Sequence, residues 1–127
     1  MTRDIIVTDK APGAVGPYSQ AVRTDQLVFT AGQIPLDPAT GALVDGPIED
    51  QTRRVLDNVR AVLEAAGTGL DRVVKMTVFM TDLGDFKRMN AVYAEFFPAA
   101  PPARSAVQVS ALPLGAAIEM DAVAIRG

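Results

Sequence analysis

The chain predicts an α+β fold, a mixed β-sheet with two helices packed on one face. Two segments show helical periodicity, several short β-branched runs alternate at period two, and strands and helices follow one another without strict alternation. The 127 residues favour one domain spanning 1–127, because two halves would each struggle to bury a core.

Residues 4–8 and 19–31 read as short strands, the second broken in two by Thr24-Asp25-Gln26, with Val28-Phe29-Thr30 its most strand-like piece. Gly32, Pro35, Pro38, Gly41, Gly46 and Pro47 then mark residues 32–47 as a turn-rich connection, clearest at Asp37-Pro38-Ala39-Thr40-Gly41. Residues 47–66 form the clearest helix. Ile48, Thr52, Val55, Leu56, Val59, Val62, Leu63 and Ala66 recur at helical spacing, and charged residues fill the other faces. Pro47 suits its first turn and Gly67 its C-terminal stop.

A long strand is expected over 70–81, and a second helix over 84–97, where Phe86, Met89, Tyr93, Phe96 and Phe97 share a stripe that Pro98 ends. Two last strands cover 103–110 and 117–126, joined by 111–116, so the order is β-β-β-α-β-α-β-β. Two helices cover one face of such a sheet but not both, yet Val73-Val74 and the run 118–125 are apolar at both parities. An uncovered apolar face becomes an interface, so a homo-oligomer is expected.

Composition removes several chemistries. With 12 basic and 15 acidic residues the formal charge is −3, and no nucleic acid partner is expected. With no His and no Cys, a Ser-His-Asp triad, a thiolate nucleophile, a zinc-thiolate site and disulfides are excluded. Ile5-Ile6-Val7 is too short for a signal-peptide core and no stretch approaches a membrane span. A cytoplasmic protein without a membrane partner is the expectation.

Arg104 opens the run Arg104-Ser105-Ala106-Val107-Gln108-Val109-Ser110, where alternation sets Arg104, Ala106, Gln108 and Ser110 on one face and Val107 and Val109 on the other. A guanidinium fork matches the two oxygens of a carboxylate. On spacing alone an ordinary surface ion pair is the commoner outcome. Glu119 lies in apolar company and shares a face with Ala117, Asp121 and Val123. Such a carboxylate can act as a general base or place a water; an acid on an exposed edge is an equal alternative. A simple hairpin about 111–116 would set Arg104 nearer Val123 than Glu119.

Tyr18, after Gly16-Pro17, offers a hydroxyl to a ligand or caps a core edge. Asn90 falls beside the apolar stripe of the second helix, where its amide must find partners, by default in the backbone. Gly67-Thr68-Gly69 follows a helix rather than a strand, so helix termination explains it. Nothing near Lys75 supplies a cofactor phosphate site.

Together these residues resemble the RidA/YjgF family of reactive-intermediate (imine and enamine) deaminases. The first half of the resemblance rests on Gly16-Pro17-Tyr18-Ser19-Gln20-Ala21, Ala31-Gly32-Gln33-Ile34-Pro35, Asp37-Pro38 with Thr40-Gly41, and Asn58-Val59 with Glu64-Ala65-Ala66-Gly67. The second rests on Val78-Phe79 with Asp82-Leu83, Asn90 with Tyr93 and Phe96-Phe97, Pro102-Ala103-Arg104-Ser105, Leu112-Pro113 and Glu119. The resemblance implies a chorismate-mutase-like fold and a homotrimer with sites in the clefts between subunits.

It also implies roles: Arg104 binding a substrate carboxylate, Glu119 activating the hydrolytic water, Tyr18 lining the pocket, Asn90 near it, and backbone beside Ala106 holding the ligand. Ala31 and Gly32 stand in a block that the resemblance places in the substrate pocket. The implied reaction is cofactor-free hydrolysis of 2-imino acids, derived from 2-aminoacrylate or 2-aminocrotonate, to 2-keto acids and ammonia. The alternatives are a non-catalytic module that holds small carboxylic acids and an RNA-directed translation inhibitor or endoribonuclease. Many members carry Ser where this chain has Ala31 and Cys where it has Ala106, and 97–102 looks shorter than in many relatives.

Overall fold

The computed structural model describes residues 3–127; the first two residues of the N-terminal segment lie outside the described residues. The elements are β1 (Asp4–Ile6), β2 (Ala21–Arg23), β3 (Leu27–Thr30), α1 (Ile48–Ala65), β4 (Val73–Met80), α2 (Phe86–Phe96), β5 (Ala103–Gln108) and β6 (Ile118–Ile125). This is the α+β order expected from the sequence. One six-stranded sheet carries the strands in the order β1-β2-β3-β6-β4-β5. It is mixed: β4 and β5 run parallel and the other neighbours are antiparallel.

The ends of the elements differ from the sequence reading for local reasons. β1 stops at Ile6, short of residue 8, because the Gln20 side chain takes the backbone of Thr8, accepting from its N–H at 2.7 Å and donating to its carbonyl at 3.0 Å. Leu70–Arg72 forms a 3-10 turn rather than the start of β4. Another 3-10 turn, Leu83–Asp85, delays α2 to Phe86, and there Asp82 accepts from the Gly84 N–H at 2.7 Å. Pro47 caps α1 from just outside rather than within its first turn, and Gly67 adopts φ +83° beyond its C-terminus.

The placement of the last two strands is the part that the sequence left open. They do not form a hairpin about 111–116, since β6 lies between β3 and β4 while β5 is the outer strand beyond β4. The helical crossover through α2 sets β5 parallel to β4, and the chain must then pass β4 to reach β6. Arg104 pairs with Met76, and Met76 pairs in turn with Ala122; Glu119 pairs with Phe79.

Both helices lie on one face. Fully buried Met76, Val78, Met80, Ile118 and Met120 meet Val55, Leu56, Val59, Leu63 and Met89 there. Each such side chain contributes roughly 1.5–3 kcal/mol by leaving water. The opposite face carries Ile5, Phe29, Val107 and Ile125, between 43% and 47% exposed. An apolar sheet face without helices is what the parity of the strands predicts. No described helix is long and apolar enough to cross a membrane.

Candidate active site

The residues singled out in the sequence fall into two groups on opposite faces of the sheet. The first surrounds a cleft of about 360 Å³ whose walls include Pro12, Tyr18, Ala31, Gly32, Leu114 and Glu119. Two buried side-chain amides and one backbone bridge hold its loops. Gln20 donates to the Pro12 carbonyl at 2.8 Å and so ties segment 8–12 to the sheet. Asn58 of α1 donates to the carbonyls of Ile34 and Leu36 at 3.2 and 2.9 Å. Gln33 exchanges two backbone bonds with Met120, at 2.8 and 3.0 Å, which lays Gly32 beside Glu119.

That approach explains why residue 32 is glycine. A Cβ there would collide with the Glu119 carboxylate, coming within 2.8 Å of its Cδ. The Tyr18 hydroxyl accepts from the Val15 N–H at 3.2 Å and stiffens the rim, its side chain half exposed. Leu114 holds φ +59°, an unusual conformation for a residue with a side chain, within the turn Pro113–Gly115. Burial raises the Glu119 pKa from its ordinary value, and the Asp121 charge adds to the shift. Burial also raises Asp121, against a lowering hydrogen bond from Thr77. Glu119 therefore holds its charge less readily than a surface acid, as suits a group that takes a proton from water.

The second group lies on the helix side. Arg104, whose partner Met76 is buried beneath the helices, turns under α2. Its Nη1 donates to Asn90 Oδ1 at 2.8 Å, and its guanidinium carbon sits 4.7 Å from the Tyr93 ring centre and 5.3 Å from that of Phe86. Ala106 lies on the same face and packs against the core. Among the described residues Arg104 forms no salt bridge, in contrast to Arg23, Arg53, Arg60, Arg88 and Arg126. The surface ion pair expected as the commoner outcome is replaced by a half-buried cation on aromatic rings with a neutral amide as partner.

The structure brings Tyr18, Ala31, Gly32 and Glu119 together, and Asn90, Arg104 and Ala106 together, but does not unite the two groups. Along β4 their pairing positions are three residues apart and β4 itself lies between them. Standard strand dimensions give a backbone separation of roughly 14 Å, on opposite faces. Sequence reading assigned Phe86 and Tyr93 only to the core and gave Gln20, Gln33 and Leu114 no part in the site. The spacing Phe86, Asn90, Tyr93 on one helical face was the available signal. Among the described residues no group of three or more His, Cys, Asp or Glu is arranged to hold a metal ion.

The sequence model of the family described as Endoribonuclease L-PSP matches residues 8–126. A RutC family protein of Pyrococcus abyssi is 52% identical over 126 residues, covering 99% of each chain. The 2-iminobutanoate/2-iminopropanoate deaminase of Homo sapiens is 46% identical over 127 residues, covering 100% of this chain and 93% of that protein. Among solved structures, E. coli TdcF with bound serine superposes with a TM-score of 0.94 at 47% identity, covering 98% of this chain and 99% of that one.

Proposed function

The chain belongs to the RidA/YjgF family, and on that premise we propose that it hydrolyses short 2-imino acids to 2-keto acids and ammonia without a cofactor. The observation that carries the reading is the complementary pair of half-sites. Arg104 is a positioned cation with no acid of its own, and Glu119 is a half-buried carboxylate in a cleft without a cation among its lining residues. An imino acid needs both, one for its carboxylate and one for the attacking water. Homologues named as deaminases and the serine held by TdcF support a ligand carrying carboxylate and nitrogen on one carbon.

Because the halves face opposite sides of one sheet, we assign them to one site through a second copy. The bare apolar faces pack together in a homotrimer, and Glu119, Tyr18, Ala31 and Gly32 of one subunit meet Arg104, Asn90 and Ala106 of the next. In that cleft Arg104 holds the carboxylate and leaves the C=N carbon exposed to a water on Glu119. Glu119 takes a proton as the water oxygen adds to that carbon, the C=N electron pair moves to nitrogen, and Glu119 hands the proton on to that nitrogen. The hydroxyl proton of the carbinolamine then passes to nitrogen by the same carboxylate, the C=O bond forms as the C–N bond breaks, and ammonia leaves with the 2-keto acid while Glu119 is ionised again.

The family description also names RNA cleavage. The −3 charge, the missing histidine and the engagement of several arginines in salt bridges weigh against it. The deciding assay adds the protein to an amino-acid oxidase or dehydratase that generates the imine and follows 2-keto acid release. Acceleration by the parent protein is expected, with a loss of roughly 10²-fold or more in a folded Arg104→Ala variant. Full activity in that variant would sink the assignment.

A further inference from the structure

α2 presents Phe86, Asn90 and Tyr93 on one face, and Arg104 of β5 lies against all three. Asn90 takes one edge of the guanidinium through Nη1, while the guanidinium carbon lies over the Tyr93 and Phe86 rings. Tyr93 is in turn braced by Phe97, with ring centres 4.7 Å apart and tilted by 36°. The arginine is thus held by two rings and an amide.

Packing alone does not ask for the Tyr93 hydroxyl. Tyr93 is only 6% exposed, and its hydroxyl oxygen has no well-formed hydrogen bond among the described residues. An unpartnered buried oxygen is destabilising, and phenylalanine would fill the same space without it. The oxygen nevertheless meets Arg104, whose charge and loose hydrogen bond to it oppose the burial that raises the phenol's pKa.

We propose that Tyr93 is a positioning residue for Arg104, its ring supporting the guanidinium and its hydroxyl aligning it, so that the edge free of Asn90 is presented to a substrate carboxylate. The proposal rests on the reading of Arg104 as carboxylate anchor. A free arginine side chain must give up its rotamer freedom on binding, and a pre-aligned one has given it up already. The effect therefore falls on carboxylate affinity rather than on the chemical step.

The test uses the intact protein and two readouts, the Kd for 2-oxobutanoate and the KM and kcat of imine hydrolysis. Tyr93→Phe keeps the fold and the ring, so its Kd and KM are expected to rise about threefold with kcat within about twofold. Tyr93→Leu is expected to raise them about tenfold, its melting curve showing that it is folded. In an Arg104→Ala background Tyr93→Phe should change the residual binding no further, because it acts through the arginine. A merely structural tyrosine would change the melting temperature and leave Kd and KM unmoved. Parent protein that binds 2-oxobutanoate while Tyr93→Phe binds it equally tightly would overturn this proposal alone. Parent protein that binds none would overturn the anchor reading and this proposal with it.

Discussion

The Glu119 cleft and the Arg104 cradle are built by different means. The cleft is made of loops, and its shape depends on amides reaching in from elsewhere: Gln20 from β2's approach and Asn58 from α1. The cradle stands on an edge strand and a helix, its geometry set by helical spacing and ring packing. Under the proposed function the cleft tunes a proton acceptor through burial, while the cradle aims a charge that needs no tuning. Disturbance of a loop amide should reach the chemistry of the first, and disturbance of α2 should reach only the affinity of the second.

Gly32→Ala should break the comparison hardest. The new Cβ displaces the Glu119 carboxylate, and a misplacement of that size costs roughly 10²-fold in kcat. The carboxylate affinity supplied by Arg104 should stay within about threefold of the parent, measured as the Kd for 2-oxobutanoate. A variant that keeps its kcat would show that the placement of Glu119 does not matter.

Asn90→Ala attacks the other half. Loss of its bond to Arg104 should raise KM about tenfold while kcat changes little, because a charged hydrogen bond in the cradle acts before the chemical step. Equal losses in kcat and in kcat/KM would instead place Asn90 in the transition state. Asn58→Ala tests the loop anchorage through stability. It leaves the Ile34 and Leu36 carbonyls without their donor, at a cost of about 2–3 kcal/mol in urea denaturation.

The finest effect is on pH dependence. Glu119 must be ionised to accept a proton, and its pKa is raised first by burial and then by Asp121. Activity should therefore fall, as pH is lowered, at a higher pH than an unperturbed glutamate would give. Asp121→Asn removes the second cause and should move that acid limb of kcat/KM to lower pH. A shift the other way would show that the limb does not belong to Glu119.

Much of the fold was legible in the sequence because it follows from local periodicity. The helical stripe of α1, the breakers from Gly32 to Pro47 and the apolar alternation of β6 each specify an element without knowledge of its neighbours. The bare face was legible too, from apolar residues at both parities. Strand order was not, because β5 and β6 are successive in the chain yet separated in the sheet by β4. The relation of Arg104 to Glu119 depends on that non-local pairing, and so does the division of the site into halves. Tyr93 was hidden differently: its spacing marks it equally well as core, and only the position of Arg104 over its ring tells the two uses apart.

The central claim is that one site takes Arg104 from one subunit and Glu119 from another, and subunit mixing tests it most directly. Arg104→Ala and Glu119→Gln proteins, each expected to be inactive alone, are denatured together in equal amounts and refolded as mixed trimers. Clefts that receive Arg104 from one parent and Glu119 from the other are intact, so activity should return to about a quarter of the parent level. A mixture with confirmed mixed trimers that stays as inactive as its two components would contradict the account.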